Sequence, residues 1–345
     1  MGIGARVTPA LAEEATLGAL DSTFEGAAEI FQRRGVALSP KRIRAISQSL
    51  AAAALRRRRQ CVQSYLAGAT AAGQALKGKN IVVCMDGGRM NIRTPKRRGP
   101  MKKDAKVRGF HADWREPKLF TIYTIGSDGK LSPEAPAWCD GTLDGHQHML
   151  DLLACQLHAL GAAQAAKVIF MGDGARWIWD HLDELLERVG IDREKVSEVL
   201  DFAHAVEHLA KVAEVLPGST AASRRRWLNK HRHMLRHGEV EQVVKDLARL
   251  SAKHRSKTIQ REREYFVKHT HRMQYEEYEK AGIPMGSGSV ESAIRRIVNL
   301  RLKGAGMFWL KHNGEGFLHL RCQAKAGQWQ GFFKDLLTFL PDDLS

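Results

Sequence analysis

The sequence predicts a mixed α/β fold, in which helices flank a sheet. Short β-branched runs bounded by glycine or charge predict strands, at 81–85 (IVVCM), 118–125 (KLFTIYTI), 167–172 (KVIFMG) and 196–202 (VSEVLDF). The first two runs are adjacent along the chain, whereas helical segments separate the later ones, which indicates a mixed sheet. A second observation is that the regions before and after these strands have helical patterns.

Residues 1–78 are predicted to be helical. One helix runs from about Thr23 to Gln32, and Ser39-Pro40 begins another, since serine before proline is a strong helix-start signal. The second helix carries three cations near its start: Lys41, Arg42 and Arg44. This pattern fits either a DNA-reading helix-turn-helix or a helical hairpin packed on the next domain. The run Arg56–Arg59 is either a phosphate-contacting patch or a solvated helix face.

Within the strand-containing region, a helix is expected from about His146 to Leu160, ending at Gly161, and another after Asp173. The Asp-Gly pairs at 128–129 and 140–141 predict turns. From 204 to about 280 the sequence changes to long, charged helical segments that are too polar to form the main core.

A late helix is predicted from Val290 to Leu302, and it has both an acid and several cations. Glu291 lies in its first turn, after the start Gly286-Ser287-Gly288-Ser289. The candidate DNA-contacting residues of this segment are Arg295, Arg296, Arg301 and Lys303.

Composition favours a polyanionic partner. The 54 Lys and Arg residues exceed the 38 Asp and Glu residues, for a net charge of +16. The same excess would suit a ribosome-associated or membrane-surface protein. The 345 residues, 43% of them hydrophobic, can bury a large core of roughly two domains.

Several signals point away from membranes and from disulfides. No apolar run approaches the roughly 18 residues of a membrane span, and the N-terminus has no basic flank before an apolar core. The five cysteines contain no C-x-x-C pair, which predicts reduced thiols. We therefore expect a cytoplasmic protein.

Three acidic residues are the candidate catalytic groups. Asp86 and Asp173 each end a wholly apolar strand, and Glu291 lies just inside a helix. An aspartate before glycine is most often a turn former, but three such carboxylates can also converge on a pair of divalent metal ions. That arrangement is typical of metal-assisted phosphodiester chemistry.

A competing motif overlaps the start of the charged helical stretch. Residues His204-Ala205-Val206-Glu207-His208 match H-x-x-E-H, a zinc-peptidase pattern that places two imidazoles one helical turn apart. A peptidase would also need a third ligand downstream, and the pattern is short enough to arise by chance.

Five strings in order make the chain similar to bacterial insertion-sequence transposases of the ISKra family, within the Mutator-like DDE transposases. They are WREPKLFTIY, MGDGARWIW, LDFAHAVEHL, MGSGSVESA and RLKGAGMFW. The resemblance implies an RNase H-like mixed sheet flanked by helices, divided by a mostly helical insertion at 204–282. The catalytic core would then comprise 79–203 and 283–345, behind a shortened N-terminal region at 1–78.

The resemblance also assigns roles. Asp86, Asp173 and Glu291 would be the catalytic acids and the ligands of two Mg²⁺ or Mn²⁺ ions about 4 Å apart. Asp201 and His204 match the C/D-x-x-H signature of Mutator-like transposases, so we expect them near the active site, with His204 either donating to a phosphate oxygen or carrying a proton near neutral pH. Alternatively, Asp201 only caps a helix that contains a partly buried histidine.

The implied partners are double-stranded DNA, at terminal inverted repeats and a target site, and further copies of the chain, since two ends must be synapsed. The implied location is cytoplasmic and nucleoid-associated. A third, non-enzymatic hypothesis is a catalytically inactive or domesticated DNA-binding protein of the same fold. The presence of all three acids favours the enzyme.

Overall fold

The computed structural model describes residues 7–96, 109–131, 137–304 and 306–339. Residues 1–6 of the predicted region 1–78 and residues 340–345 of the predicted region 283–345 lie outside these ranges. The strands are β1 Asn80–Gly87, β2 Met90–Pro95, β3 Phe110–Arg115, β4 Lys118–Ile125, β5 Trp138–Thr142, β6 Lys167–Gly172 and β7 Val196–Leu200. Five of them form one mixed sheet in the order β5-β4-β1-β6-β7, and β2 pairs with β3 in a separate hairpin. In the main sheet β1, β6 and β7 are parallel, whereas β4 and β5 are antiparallel to their neighbours.

Helices cover both faces of this sheet. They are α1 Pro9–Asp21, α2 Phe24–Arg33, α3 Pro40–Leu66, α4 His146–Leu160, α5 Arg176–Trp179, α6 Leu182–Val189, α7 Phe202–Glu214, α8 Ala221–Arg236, α9 Val240–Lys253, α10 Lys257–His269, α11 Tyr275–Lys280, α12 Gly288–Ile294, α13 Lys311–Lys325 and α14 Trp329–Phe339. The predicted mixed sheet flanked by helices is therefore confirmed.

Alternation along the strands divides the core into two layers. On β1, Val82 and Cys84 face one layer, while Ile81, Val83 and Met85 face the other. The first layer contains α1, α2, α3, α12 and α13 together with the helices between β7 and α12, and the second contains α4 and α6. The sheet is thus buried on both faces.

Local signals explain why several helices begin and end where predicted. The Ser39 hydroxyl accepts a hydrogen bond from the N–H of Arg42 (3.3 Å) at the start of α3, and Thr23 accepts one from Gly26 (3.0 Å) at the start of α2. Gly161 ends α4 in the left-handed conformation with φ 78°. The late helix departs from its prediction, because α12 ends at Ile294 and continues as a π-helical turn, Arg295–Asn299.

The prediction that Asp140-Gly141 forms a turn is wrong, since both residues belong to β5. Asp140 Oδ1 accepts hydrogen bonds from Arg58 (3.2 Å) and His319 (2.9 Å), and Arg58 also pairs with Glu315. All four side chains of this network are buried. Asp128-Gly129 is a turn as predicted, with φ 75° at the glycine.

The same network shows how the first helices attach to the remainder of the protein. Arg58, at 8% exposure, belongs to α3 and was expected to lie in a phosphate patch or on a solvated face. Instead it ties α3 to β5 and α13. In the part of the chain that the structure describes, no helix has the length and apolar character to cross a membrane.

Candidate metal centre

Strand register places three aspartates side by side. Gly172 of β6 pairs with Met85 of β1 on one side and with Leu200 of β7 on the other. The next residues, Asp86, Asp173 and Asp201, therefore occupy equivalent positions at the carboxyl ends of three adjacent parallel strands. We call this end of the sheet, defined by Asp86, Asp173 and Asp201, the carboxylate edge.

Asp201 connects this edge to the late helix. Its Oδ1 accepts the N–H of His204 (2.9 Å) as the N-cap of α7, and its Oδ2 accepts the N–H of Ser287. The Ser287 hydroxyl donates to Glu291 Oε1 at 3.1 Å. Asp201, at 1% exposure, thereby holds the start of α12 against the sheet and brings Glu291 to the same edge.

The acids at this edge influence one another. Burial raises the pKa of Asp86 to about 6, and the carboxylates of Asp173 and Glu291 add to the rise, while the hydrogen bond from Gly87 N opposes it. Nearby cations would favour the charged form of Asp86. A divalent cation at this site would therefore stabilise the charged carboxylates.

His204 lies among these carboxylates. Its Nδ1 is 3.3 Å from Asp201 Oδ1, and this interaction raises the pKa of His204 to about 9 although burial opposes it. The hydrogen bonds from His204 and Ser287 hold the pKa of Asp201 far below its usual range against the effect of burial. The pair is thus a carboxylate and an imidazolium at neutral pH.

The groups of side chains close enough to share a metal ion differ from the predicted trio. Among the described residues, the ligand atoms of Asp201, His204 and Glu291 all lie within 4.8 Å of one another, and so do those of Asp144, His148 and Glu315, whereas Asp86, Asp173 and Glu291 do not form such a group. Each predicted acid has its own donor instead: Asp86 accepts from Gly87 N (2.6 Å), and Asp173 accepts from Ala175 N (2.8 Å). The three acids lie at one edge of the sheet, and the expected auxiliary residues Asp201 and His204 lie there beside Glu291.

A tyrosine of the helical segment between β7 and α12 packs against the loop after Asp173. A Cβ at Gly174 would lie 2.2 Å from Cε2 of Tyr265 on α10, so only glycine allows this approach. The Tyr265 ring is stacked on His208 with 3.6 Å between centroids. Tyr265 was not predicted as a site residue, because no local sequence pattern distinguishes it.

Ser287 was also missed as a site residue, although its position four residues before Glu291 on a helix start was a usable signal.

The H-x-x-E-H histidines are directed to different carboxylates. His204 pairs with Asp201, whereas His208 Nδ1 contacts Glu262, which is buried on α10. No metal-ligand trio in the described ranges contains both imidazoles. The arrangement expected of a zinc peptidase is therefore not found there.

The predicted DNA-contacting residues fall into two groups. Six are exposed: Lys41, Arg42, Arg44, Arg295, Arg296 and Lys303. Arg301 differs, at 4% exposure, because its Nε donates to Ala19 O (3.0 Å) and its guanidinium lies over the rings of Phe24 (5.6 Å) and Trp309 (5.3 Å). Arg301 lines a cavity and is not part of an exposed helix face.

No protein-family model, no curated protein and no solved structure matches this chain.

Proposed function

We propose that the chain is a DDE transposase of the ISKra type with an RNase H-like catalytic core. The observation that carries the proposal is the carboxylate edge, where register aligns Asp86 with Asp173 and the Asp201–Ser287 link brings in Glu291. Asp86 and Asp173 also accept local hydrogen bonds from Gly87 N and Ala175 N, but these local contacts do not account for Glu291 of a distant helix at the same edge.

The topology supports the RNase H-like assignment. When the five strands of the main sheet are numbered by their order along the chain, their order across the sheet is 3-2-1-4-5. Strand 2 is antiparallel to strand 1, and strands 1, 4 and 5 are parallel to one another. A mixed sheet flanked by helices is what the resemblance to DDE transposases implies. The segment α7–α11 separates the fifth strand from the acid-bearing α12, as expected of an insertion.

The donor set suits magnesium or manganese. Asp86, Asp173 and Glu291 offer hard carboxylate oxygens, and the carboxylates of Asp173 and Glu291 add to the burial that raises the pKa of Asp86. Bound there, two such ions would lower the pKa of an attacking water or 3′-hydroxyl and stabilise the leaving oxygen.

The protein residues have separate tasks in this reaction. The three acids hold the charge that binds metal, and Asp201 positions both α12 and His204. The His204 imidazolium can donate a hydrogen bond to a non-bridging phosphate oxygen as negative charge develops there. In cleavage the oxygen of water bonds to phosphorus, and the bond from phosphorus to the 3′ oxygen breaks. In strand transfer the freed 3′-hydroxyl attacks a target phosphate in the same way.

The proposed partners are duplex DNA and further copies of the chain. The net charge of +16 and the exposed cations at the start of α3 and beyond α12 supply phosphate contacts. Two transposon ends require at least two catalytic sites in a synaptic assembly.

Cleavage of the DNA that flanks this chain's own gene tests the proposal. A supercoiled plasmid with those flanks should be cut in Mg²⁺ or Mn²⁺ and left intact in EDTA. Asp86→Asn, Asp173→Asn and Glu291→Gln should each reduce cutting to background while DNA binding in EDTA persists. Asp128→Asn, in an exposed turn, is the matched control and should cut normally.

Wild-type cutting by Glu291→Gln would overturn the assignment. Tight DNA binding by the wild-type chain with no cutting in either metal would favour the non-enzymatic DNA-binding alternative.

A further inference from the structure

A second site lies beyond α12, where the first helices meet the hairpin strand β2. A cavity of about 230 Å³ opens there between α2, α3, β2 and the segment 306–310. The segment is fixed to β2, because Arg93 N donates to Trp309 O (2.8 Å) and Trp309 N donates to Asn91 O (3.0 Å). Two of the cavity walls, β2 and the segment 306–310, are thus held in register by backbone hydrogen bonds.

One wall of the cavity is aromatic. Trp309 is fixed, since its indole N–H donates to Leu302 O at 3.0 Å and its ring lies 5.0 Å from that of Phe317. Phe308 is different: it is 38% exposed and is supported from one side by the ring of Phe110 at 5.2 Å. An exposed ring held in this way can stack on a planar ligand.

The same cavity is lined by three guanidinium groups. Arg44 and Arg93 are exposed at its rim, and Arg301 is almost wholly buried in its wall. Among the described residues, none of the three has a carboxylate oxygen within 4.0 Å, although Glu25 also lines the cavity. Burial, with a contribution from Arg321, lowers the pKa of Arg301 to about 10, while the carboxylates of Glu25 and Asp21 oppose the change, so Arg301 remains charged at neutral pH. A buried cation with no carboxylate oxygen at ion-pair distance favours an anionic ligand.

Amide groups complete the site. Gln48 of α3 and Asn313 of α13 line the cavity, and each offers both a donor and an acceptor. Together with the Glu25 carboxylate they can pair with the hydrogen-bonding edge of a nucleobase, as side-chain amides do in base recognition. The lining therefore combines a stacking ring, an edge-reading set and anion-binding groups.

We propose that this cavity binds one unstacked nucleotide of a DNA strand, with its base against Phe308 and its phosphate at Arg44, Arg93 and Arg301. The inference rests on the proposed function only in naming DNA as the partner. A neighbouring cleft of about 430 Å³ shares Arg93 with the cavity, and its charged and imidazole side chains are Arg115, Lys311, His312 and one acid, Asp113. Lys311 also pairs with Asp144. The cationic surface continues past one nucleotide, which favours a strand over a free nucleotide.

Binding of short labelled oligonucleotides in EDTA tests the inference without any cleavage. The probes are an oligothymidylate and an abasic analogue with the same number of phosphates, followed by fluorescence anisotropy. The wild-type chain should bind the thymidylate roughly tenfold more tightly, because stacking one base on an aromatic ring contributes at about that level.

The variants separate base from phosphate recognition. Phe308→Leu should lose most of the preference for the base-containing probe and keep its affinity for the abasic one. Arg44→Gln should weaken both probes. The matched controls are Trp114→Leu, an aromatic residue at 56% exposure outside the cavity, and Arg59→Gln, an exposed arginine of the same helix as Arg44. These controls should leave the base preference unchanged.

Equal affinity of the wild-type chain for both probes would overturn the inference, and so would a loss in Trp114→Leu as large as that in Phe308→Leu. Competition by free thymidine monophosphate at the concentration where the oligonucleotide competes would indicate a free-nucleotide site and also overturn it. The binding assay contains no divalent metal and does not depend on cleavage. If the wild-type chain prefers the base-containing probe but does not cut the plasmid in Mg²⁺ or Mn²⁺, this inference stands and the transposase proposal fails.

Discussion

The N–H of Ser287 donates to the carboxylate of Asp201 across a separation of 86 residues. The bond joins the end of β7 to the start of α12, so the chain leaves the sheet, forms α7–α11 and returns to the same point. The position of Glu291 therefore depends on Asp201 more directly than on the length of the segment between them.

Asp201→Asn should destabilise the protein by about 1.5 to 3 kcal/mol, the range for hydrogen bonds to a charged group. His204 N donates to Oδ1 and Ser287 N donates to Oδ2, and asparagine replaces one of these oxygens with an NH2 group that cannot accept, so one of the two hydrogen bonds is lost. Urea unfolding measures the change. Asp183→Asn, whose side chain is 90% exposed, should leave the midpoint unchanged, and equal midpoints for both variants would contradict the role given to Asp201.

Gly174→Ala should cost about 1 to 3 kcal/mol, because the new methyl group overlaps the ring of Tyr265. Thermal unfolding of Gly174→Ala, of Tyr265→Ala and of the double variant gives the coupling, and the double variant should lose less stability than the sum of the two single losses. Gly145→Ala is the control, since a Cβ there meets nothing within 4 Å. Strict additivity of the two substitutions would show that the ring is not the obstacle.

Removing Arg58 should be far more harmful than removing its neighbour. Arg58→Ala leaves Asp140 and Glu315 buried without their cation, for which about 3 to 5 kcal/mol is expected. Arg59→Ala changes an exposed position and should stay within about 0.5 kcal/mol. Chemical denaturation of both variants provides the comparison, and similar losses would refute the network.

The stability of the folded protein should decrease as the pH falls, because His269 is protonated more readily in the unfolded chain. Burial and the nearby Arg272 cation lower the pKa of His269 to about 4, and Arg272 Nη1 donates to its Nδ1 at 3.1 Å, so the folded protein holds a neutral imidazole. The unfolded chain takes up the proton nearer pH 6.5, so the His269 contribution is complete above that pH and declines as pH falls towards 4.

His269→Gln should flatten the dependence of unfolding free energy on pH between these limits. The exposed His237→Gln variant should retain the wild-type slope. An unchanged slope in His269→Gln would place the acid sensitivity elsewhere.

Local sequence patterns predicted part of this structure accurately. The bounds of β4, β6 and α4 agree with their patterns, because the two strands are buried apolar runs and the helix ends at Gly161. Asp86 and Asp173 were likewise located at strand ends. Periodicity and helix-end signals are local, and the chain follows them where burial is continuous.

Other features depend on distant partners. Asp140 looked like half of a turn because the residues that neutralise it, Arg58 and His319, are 82 and 179 positions away. Arg301 looked like an exposed cation because nothing nearby in sequence shows that Ala19 and Phe24 enclose it. The hairpin of β2 and β3 was missed since every residue of β3 is exposed and gives no burial pattern.

The buried Arg58 network also has a mechanical meaning. Buried ion pairs fix α3 to β5 and α13, so the cations at the start of α3 keep a fixed position relative to the sheet that carries Asp86. Under the proposed function, a duplex bound by Lys41 and Arg44 would meet the carboxylate edge at a constant distance. That distance would determine which phosphate is cut.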